Sequence, residues 1–383
     1  MSNMESAVTT SSAPIAVPME PAAAQEPPKE NIDPTGLIED HILPKLDPEF
    51  LEYFVDVIAK APPGHTVDLK DMRANPEKYR PSWAVDTSGY ERVADHEVTS
   101  EDGAKFVVRV YHPDPEEFGD GPYGAHLNFH GGGFVTGDLQ VEAQLCLSMR
   151  EAGVVVVDVD YRRCPESVFG KAFQDAWAAL NWTRDNAASL NVDPTSLSIG
   201  GVSAGGHISI VLQHLARDAD IPLKLCMPTV PPSTDSLGYK YYTDSPFQSF
   251  HDFHRAPILP WKRIRWFGQF CISQDQLPKL RAMWPEWWLA PLRAPNWKGL
   301  CHTYIRTAEI DPLRDEGEAY GMKLIAGGNQ VTMKRYMGSP HTFMYFKFMK
   351  TKHEFDSDSI RALRVAHGVG WGNLDARGGD SKA

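Results

Sequence analysis

Residues 198–209 read SIGGVSAGGHIS. A short apolar run ends in Gly200 and Gly201, a serine follows at 203, and Gly205 and Gly206 come directly after Ala204. Glycine loses more backbone freedom on folding than any other residue, so it is a poor choice inside a strand or a helix. Its concentration where a strand ends and a helix begins has two readings. One is an ordinary glycine-rich turn. The other is a strained strand–turn–helix elbow that thrusts Ser203 outward, with very small residues two positions away on either side because larger ones would collide. The G-x-S-x-G spacing of Gly201-Val202-Ser203-Ala204-Gly205 favours the second. A helix that starts there aims its unbonded N–H groups toward the reacting atoms.

The surrounding chain supplies the elements that such an elbow requires. Strand-like runs stand at 125–129, 154–161, 197–201, 224–230, 302–308 and 331–337, with helical stretches such as 173–186 and 206–219 between several of them. The apolar run at 154–157 suits a strand buried on both faces. This alternation predicts a mainly parallel sheet with helices on both sides. Ahead of it, residues 91–113 read as a hairpin around Glu101-Asp102-Gly103. Residues 46–60 read as a helix capped by Asp47, opened by Pro48, with Phe50, Phe54 and Val57 on one face.

Two regions break the pattern. Residues 1–34 are rich in Ala, Pro, Ser and Glu and are expected to be a disordered tail. Residues 231–296 carry several prolines and Trp261, Trp266, Trp284, Trp287 and Trp288. A structureless insertion of that length is improbable, so a helical excursion over one edge of the sheet is expected. The resulting organisation is a tail (1–34), N-terminal cap helices (35–85), a catalytic domain (86–370) containing the insertion, and a flexible C-terminal tail (371–383).

The formal net charge of −12 argues against a nucleic-acid surface, which needs clustered Lys and Arg. The five cysteines show no CxxC pair and no zinc spacing. The N-terminus has no basic start followed by an apolar stretch, and no run of about 18 apolar residues exists. Reduced thiols in the cytoplasm and no membrane span are the expectation.

A serine nucleophile needs a base, and the base needs an orienting acid. In a sheet of this class the order is serine, acid, histidine, and the site lies at the C-terminal strand ends. His341, just beyond the 331–337 strand, meets that condition, whereas His353 and His367 lie in the tail region after a further helix. Asp311 stands at the exit of the preceding strand, and Pro312 biases it toward an extended conformation. A helix N-cap is the competing role for Asp311, and the helix dipole accounts for Asp315 and Glu316. An oxyanion also needs donors. NFHGGGF (128–134) offers consecutive glycines whose N–H groups can converge, so Gly131, Gly132 and Ala204 are the candidate donors. His130, Gly133, Gly201 and Gly205 support the motifs, with His130 as an anchor of the loop. A phosphate-binding loop is disfavoured, because no Lys-Ser/Thr follows these glycines.

With HGGGF, GVSAGG, DPLRDEG and a late histidine in this order, the chain resembles the hormone-sensitive-lipase-like esterases of the α/β-hydrolase superfamily. LDPEFLEYFVDVIAKAPPG looks like that family's N-terminal cap helix, DVDYRRCPE like its Asp-Tyr-Arg-Leu-Ala-Pro-Glu stretch, and LAPL (289–292) like the segment before its acid strand. The resemblance spans about residues 46–350. It implies an α/β-hydrolase fold: a central, mostly parallel sheet with helices on both faces and a helical cap from the N-terminal region and the insertion. It further implies two-step hydrolysis of a small-molecule carboxylic ester by Ser203, His341 and Asp311, with no metal and no organic cofactor. The chain departs from the family at Val202 (usually Asp or Thr), at Arg163-Cys164 (usually Leu-Ala) and at Thr342 (commonly Gly).

Amide or acetyl-group hydrolysis, or a step in natural-product assembly, would use the same triad. A receptor on this fold is the alternative from another class, and the plant hormone receptor of that kind lacks the histidine that is present here as His341. A metal site at His251 and His254 lacks further clustered ligands. Phe134, Trp284, Trp287 and Trp288 are the candidate substrate-pocket residues, and a homodimer is left open.

Overall fold

The computed structural model describes residues 36–272 and 276–370. Both expected tails lie outside the described residues. Eight strands form one sheet: β1 (Val93–Thr99), β2 (Lys105–Tyr111), β3 (Tyr123–Phe129), β4 (Val155–Asp160), β5 (Val192–Val202), β6 (Leu225–Thr229), β7 (Thr303–Ile310) and β8 (Val331–Pro340). Their order is β1-β2-β4-β3-β5-β6-β7-β8. The hairpin β1–β2 is antiparallel and β2 joins β4 antiparallel, whereas every pairing from β4 to β8 is parallel.

The run around residue 155 behaves as its composition requires. Val155, Val157 and Val159 point into one core, with Phe173 and Leu180 of helix Lys171–Asp185 and Ile208 and Val211 of helix Ala204–Asp218. Val156 and the preceding Val154 point into the other, with Leu145 and Met149 of helix Ala143–Arg150 and Phe355 of helix Lys350–His367. The period-two alternation of a strand thus feeds both faces of the sheet.

The winding reverses at β3, which has β4 on one side and β5 on the other. At such a switch point the loops after the two strands diverge and leave a crevice at their C-terminal ends. Here those loops carry the 130–133 glycine run and Ser203.

Asp47 caps helix Pro48–Tyr53, accepting from the N–H of Glu49 at 2.9 Å and of Phe50 at 3.1 Å. The helical path then widens into a π turn over Phe54–Ile58. Val57 is 47% exposed there while Phe50 and Phe54 are buried, so the change of period corrects the expectation that the three share a face. The insertion contains helices Gln248–Asp252, Trp261–Cys271, Leu277–Met283 and Glu286–Leu289. Ile264, Trp266, Phe267 and Leu289 of these helices join the core that holds residues of β1 through β6. Among the described residues no helix is long and apolar enough to cross a membrane.

Candidate active site

Ser203 directly follows β5 with φ 55° and ψ −113°, a conformation that a non-glycine residue rarely adopts. Its flanking glycines are required by contact. A Cβ on Gly201 would lie 2.4 Å from the carbonyl oxygen of Phe129, and one on Gly205 only 1.7 Å from the same atom. The turn is held by the Ser203 N–H on the Thr229 carbonyl at 2.8 Å and by the His207 N–H on the Ser203 carbonyl at 3.0 Å.

Three side chains expected together do converge. Asp311 and His341 follow β7 and β8 at the same end of the sheet as Ser203. His341 Nδ1 lies 2.7 Å from Asp311 Oδ2, and its Nε2 lies 3.0 Å from Ser203 Oγ. With Nδ1 protonated the ring donates to Asp311 and accepts from the serine hydroxyl. Asp311 is fully buried, and its other oxygen accepts from the Leu313 N–H at 2.9 Å. That bond closes a local turn. The next helix starts at Arg314 with Leu313 as its cap, so Asp311 is not the N-cap. Thr342 adopts φ 57°, ψ 28°, a left-handed position where the family's glycine would be unstrained.

Asp315 and Glu316 do more than meet the helix dipole. Asp315 Oδ2 accepts from the Ser249 N–H at 2.8 Å, and Glu316 accepts from the Ser233 N–H at 2.8 Å and the Thr234 hydroxyl at 2.6 Å. Together they tie the insertion to the helix that follows Asp311. Burial pushes the Glu316 carboxyl up to about 7.

The glycine loop departs from expectation at its first residue. The N–H of Gly131 donates to Glu142 Oε1 at 2.7 Å, and the Tyr345 hydroxyl donates to the same oxygen at 2.5 Å. Asn128 Nδ2 donates to Glu142 Oε2 at 3.0 Å and to Asp158 Oδ1 at 2.9 Å. Gly131 is therefore committed beneath the loop and is corrected as an oxyanion donor. The N–H groups of Gly132, Gly133 and Ala204 bond to no described residue. Burial raises the Glu142 carboxyl above its ordinary value and pushes Asp158 up to about 7. His130 is fully buried, its Nδ1 is 2.8 Å from the Gly131 carbonyl, and its ring stacks on Tyr161 at 4.3 Å. These contacts suit an anchor.

A cavity of about 460 Å³ opens over Ser203 and His341. Its aromatic lining is Tyr79, Trp83, Phe267 and Tyr345. The expected pocket residues lie elsewhere, for a packing reason. Phe134 is buried against Phe169 at 4.9 Å and Phe173 at 5.9 Å. Trp284 stacks on Trp288 at 5.3 Å, Trp288 meets Phe173 at 5.4 Å, and Trp287 meets His214 at 5.4 Å. The Trp288 carbonyl accepts from His207 Nε2 at 2.8 Å. These tryptophans pin the insertion to the two helices on one face of the sheet. His251 and His254 are likewise occupied locally, by the Ser245 carbonyl at 2.8 Å and the His251 carbonyl at 2.7 Å.

Sequence reasoning missed Glu142, Tyr345 and Trp83. None sits in a recognisable motif, and Glu142 lies eleven positions beyond the glycine it holds.

A family model described as alpha/beta hydrolase fold matches residues 126–345. An AB hydrolase superfamily protein of Schizosaccharomyces pombe is 29% identical over 86% of this chain and 96% of its own length. Esterase LipI of Mycobacterium tuberculosis is 34% identical over 63% of this chain and 73% of its own length. The structure of a hyperthermophilic esterase from Pyrobaculum calidifontis superposes with a TM-score of 0.69 at 29% identity, covering 84% of this chain and 98% of that one. With the switch-point crevice, the elbow and the glycine loop in place, the chain belongs to the hormone-sensitive-lipase-like esterases of the α/β-hydrolase superfamily.

Proposed function

We propose that this esterase cleaves a small-molecule carboxylic ester through Ser203, His341 and Asp311. The observation that carries the assignment is the continuous chain Ser203 Oγ–His341 Nε2 and His341 Nδ1–Asp311 Oδ2, at 3.0 and 2.7 Å, opening into a cavity. Ser203 Oγ attacks the ester carbonyl carbon while His341 Nε2 takes its proton. Asp311 keeps the other ring proton on Nδ1 and stabilises the imidazolium. The N–H groups of Gly132, Gly133 and Ala204 hold the oxyanion. The tetrahedral intermediate collapses, His341 returns the proton to the departing alcohol, and an acyl-Ser203 remains. Water, deprotonated by His341, then releases the acid.

Labelling with a neutral fluorophosphonate should place the adduct on Ser203, and Ser203→Ala should lose on the order of 10⁴–10⁶ in kcat. An adduct elsewhere, or undiminished turnover in the variant, contradicts the assignment.

Five free cysteines, four of them buried, support a reducing, cytoplasmic location, which cell fractionation checks. Exposed Met333 and Met337 on edge strand β8, with Met322 and Ile325 on the adjoining helix Arg314–Ala326, support a homodimer through that edge, which light scattering checks.

A further inference from the structure

The cavity over Ser203 is lined by four arginines, Arg73, Arg80, Arg163 and Arg263, and by one carboxylate, Asp138. On a chain of net charge −12 this is a local excess of cations. Three of the four are neutralised in place. Arg73 pairs with Glu166 at 2.8 Å, Arg80 with Glu77 at 2.9 Å and Asp138 at 3.1 Å, and Arg163 with Asp160 at 3.0 Å.

Arg263 differs. It stands in the first turn of helix Trp261–Cys271, half-buried in the cavity wall, and no carboxylate pairs with it among the described residues. Its Nη1 donates to the Gly64 carbonyl. The guanidinium carbon sits 4.3 Å from the centre of the Trp266 ring and 4.5 Å from that of Phe267. The aromatic faces hold the plane, the carbonyl holds one nitrogen, and no other described residue meets the remaining donors. A half-buried cation without a counter-charge carries part of the cost of desolvation, and here burial lowers the guanidinium to about 10. Such a cost is offset when the missing anion arrives with the ligand, since a planar guanidinium fork matches a carboxylate bidentately.

We propose that the physiological ester carries a carboxylate, and that Arg263 binds it while Ser203 attacks the ester carbonyl. The inference rests on the esterase reading above and adds the charge of the substrate to it. Both the acyl half and the alcohol half of an ester can bear the anion, so the test covers both.

The experiment compares kcat/KM for two matched pairs: mono-4-nitrophenyl adipate against 4-nitrophenyl hexanoate, and 4-acetoxybenzoate against its methyl ester. They are assayed with the full chain as wild type, Arg263→Lys and Arg263→Met. In at least one pair the wild type should prefer the anionic member, and Arg263→Met should cut the anionic-to-neutral ratio about 10- to 100-fold, the range expected for a hydrogen-bonded charge pair. Arg263→Lys should retain part of the ratio, and added salt should lower it in the wild type. The proposal is overturned if both ratios are unchanged in an Arg263→Met protein that still takes the fluorophosphonate on Ser203. Should that variant not fold, a wild type with no anionic preference, no salt sensitivity and no competitive inhibition by monomethyl adipate overturns it equally. Failure of the underlying esterase reading looks different: the wild type then turns over neither the neutral nor the anionic members.

Discussion

Glu142 Oε1 receives the N–H of Gly131 at 2.7 Å and the hydroxyl of Tyr345 at 2.5 Å, so one buried carboxylate holds the glycine loop and a wall of the substrate cavity together. The bond turns the first glycine inward, while Gly132 and Gly133 line the same cavity as Ser203.

Removing that carboxylate should therefore damage the transition state more than substrate binding. Glu142→Ala should lower kcat about 10- to 100-fold, with a much smaller change in KM, because displaced oxyanion donors matter only as charge develops. Glu142→Gln, which keeps an acceptor of the same shape, should recover most of the loss. Steady-state kinetics on a neutral 4-nitrophenyl ester decides. Equal losses in both variants, or a change confined to KM, would contradict the role.

The aromatic residues divide by function. Trp288→Ala removes a ring packed on Phe173 and Trp284, and should cost roughly 2–4 kcal/mol of stability while acyl-length preference stays constant. Trp83 stacks on Tyr345 at 5.3 Å and lines the cavity, so Trp83→Ala should shift the ratio of kcat/KM between butyrate and octanoate esters. Thermal melts and an acyl-length series, run on both variants, separate the two outcomes.

Glu316 gives stability a pH dependence of definite sign. Burial disfavours the charge and pushes its carboxyl up from 4.5 to about 7. The folded state thus holds a proton that the unfolded chain releases between those values. This contribution is fully present below about pH 4.5 and is lost as pH rises through 7. Glu316→Gln should flatten the fall in unfolding free energy between pH 5 and 8 by roughly 2–4 kcal/mol. Urea midpoints at four pH values test it, and parallel curves for the two proteins would refute it.

The C-terminal helix should respond in the opposite direction. His367 sits 2.8 Å from both Ser196 Oγ and Ser198 Oγ, and burial lowers its imidazole to about 4, with Lys224 adding to the shift and Asp193 opposing it. Buried His126, also lowered by burial, shares Ser198 at 2.9 Å. A depressed histidine contributes stability that is present above about pH 6.5 and lost as pH falls toward 4. Hydrogen exchange of helix Lys350–His367, corrected for intrinsic rates, should therefore accelerate between pH 6 and 4 in the wild type. It should change little over that range in His367→Gln.

The elbow, the strand order of the triad and the two-sided burial of β4 were legible because each rests on a short-range rule. Gly201 and Gly205 must be small since the Phe129 carbonyl passes within 2.4 Å of where their Cβ atoms would stand. Such a constraint leaves its mark within five residues. The misread parts depend on partners distant in the chain. Gly131 looks like a donor until Glu142 is placed beneath it. Trp284, Trp287 and Trp288 announce aromatic mass but give no direction, and only the packing on Phe173 and His214 reveals that they face the helices. Val57 followed a 3.6-residue period that the π turn at Phe54–Ile58 interrupts.

The spacing of the reacting groups along the chain bears on its biosynthesis. Ser203 Oγ and His341 Nε2 lie 3.0 Å apart but 138 residues apart in sequence, and the histidine follows the strand that closes the sheet. On the ribosome the nucleophile emerges long before its base. A nascent chain with the sheet built only as far as β7 would lack the proposed base of Ser203. Under the proposed mechanism, hydrolysis would await the docking of the last strand at the edge, and the emerging polypeptide would stay chemically silent until then.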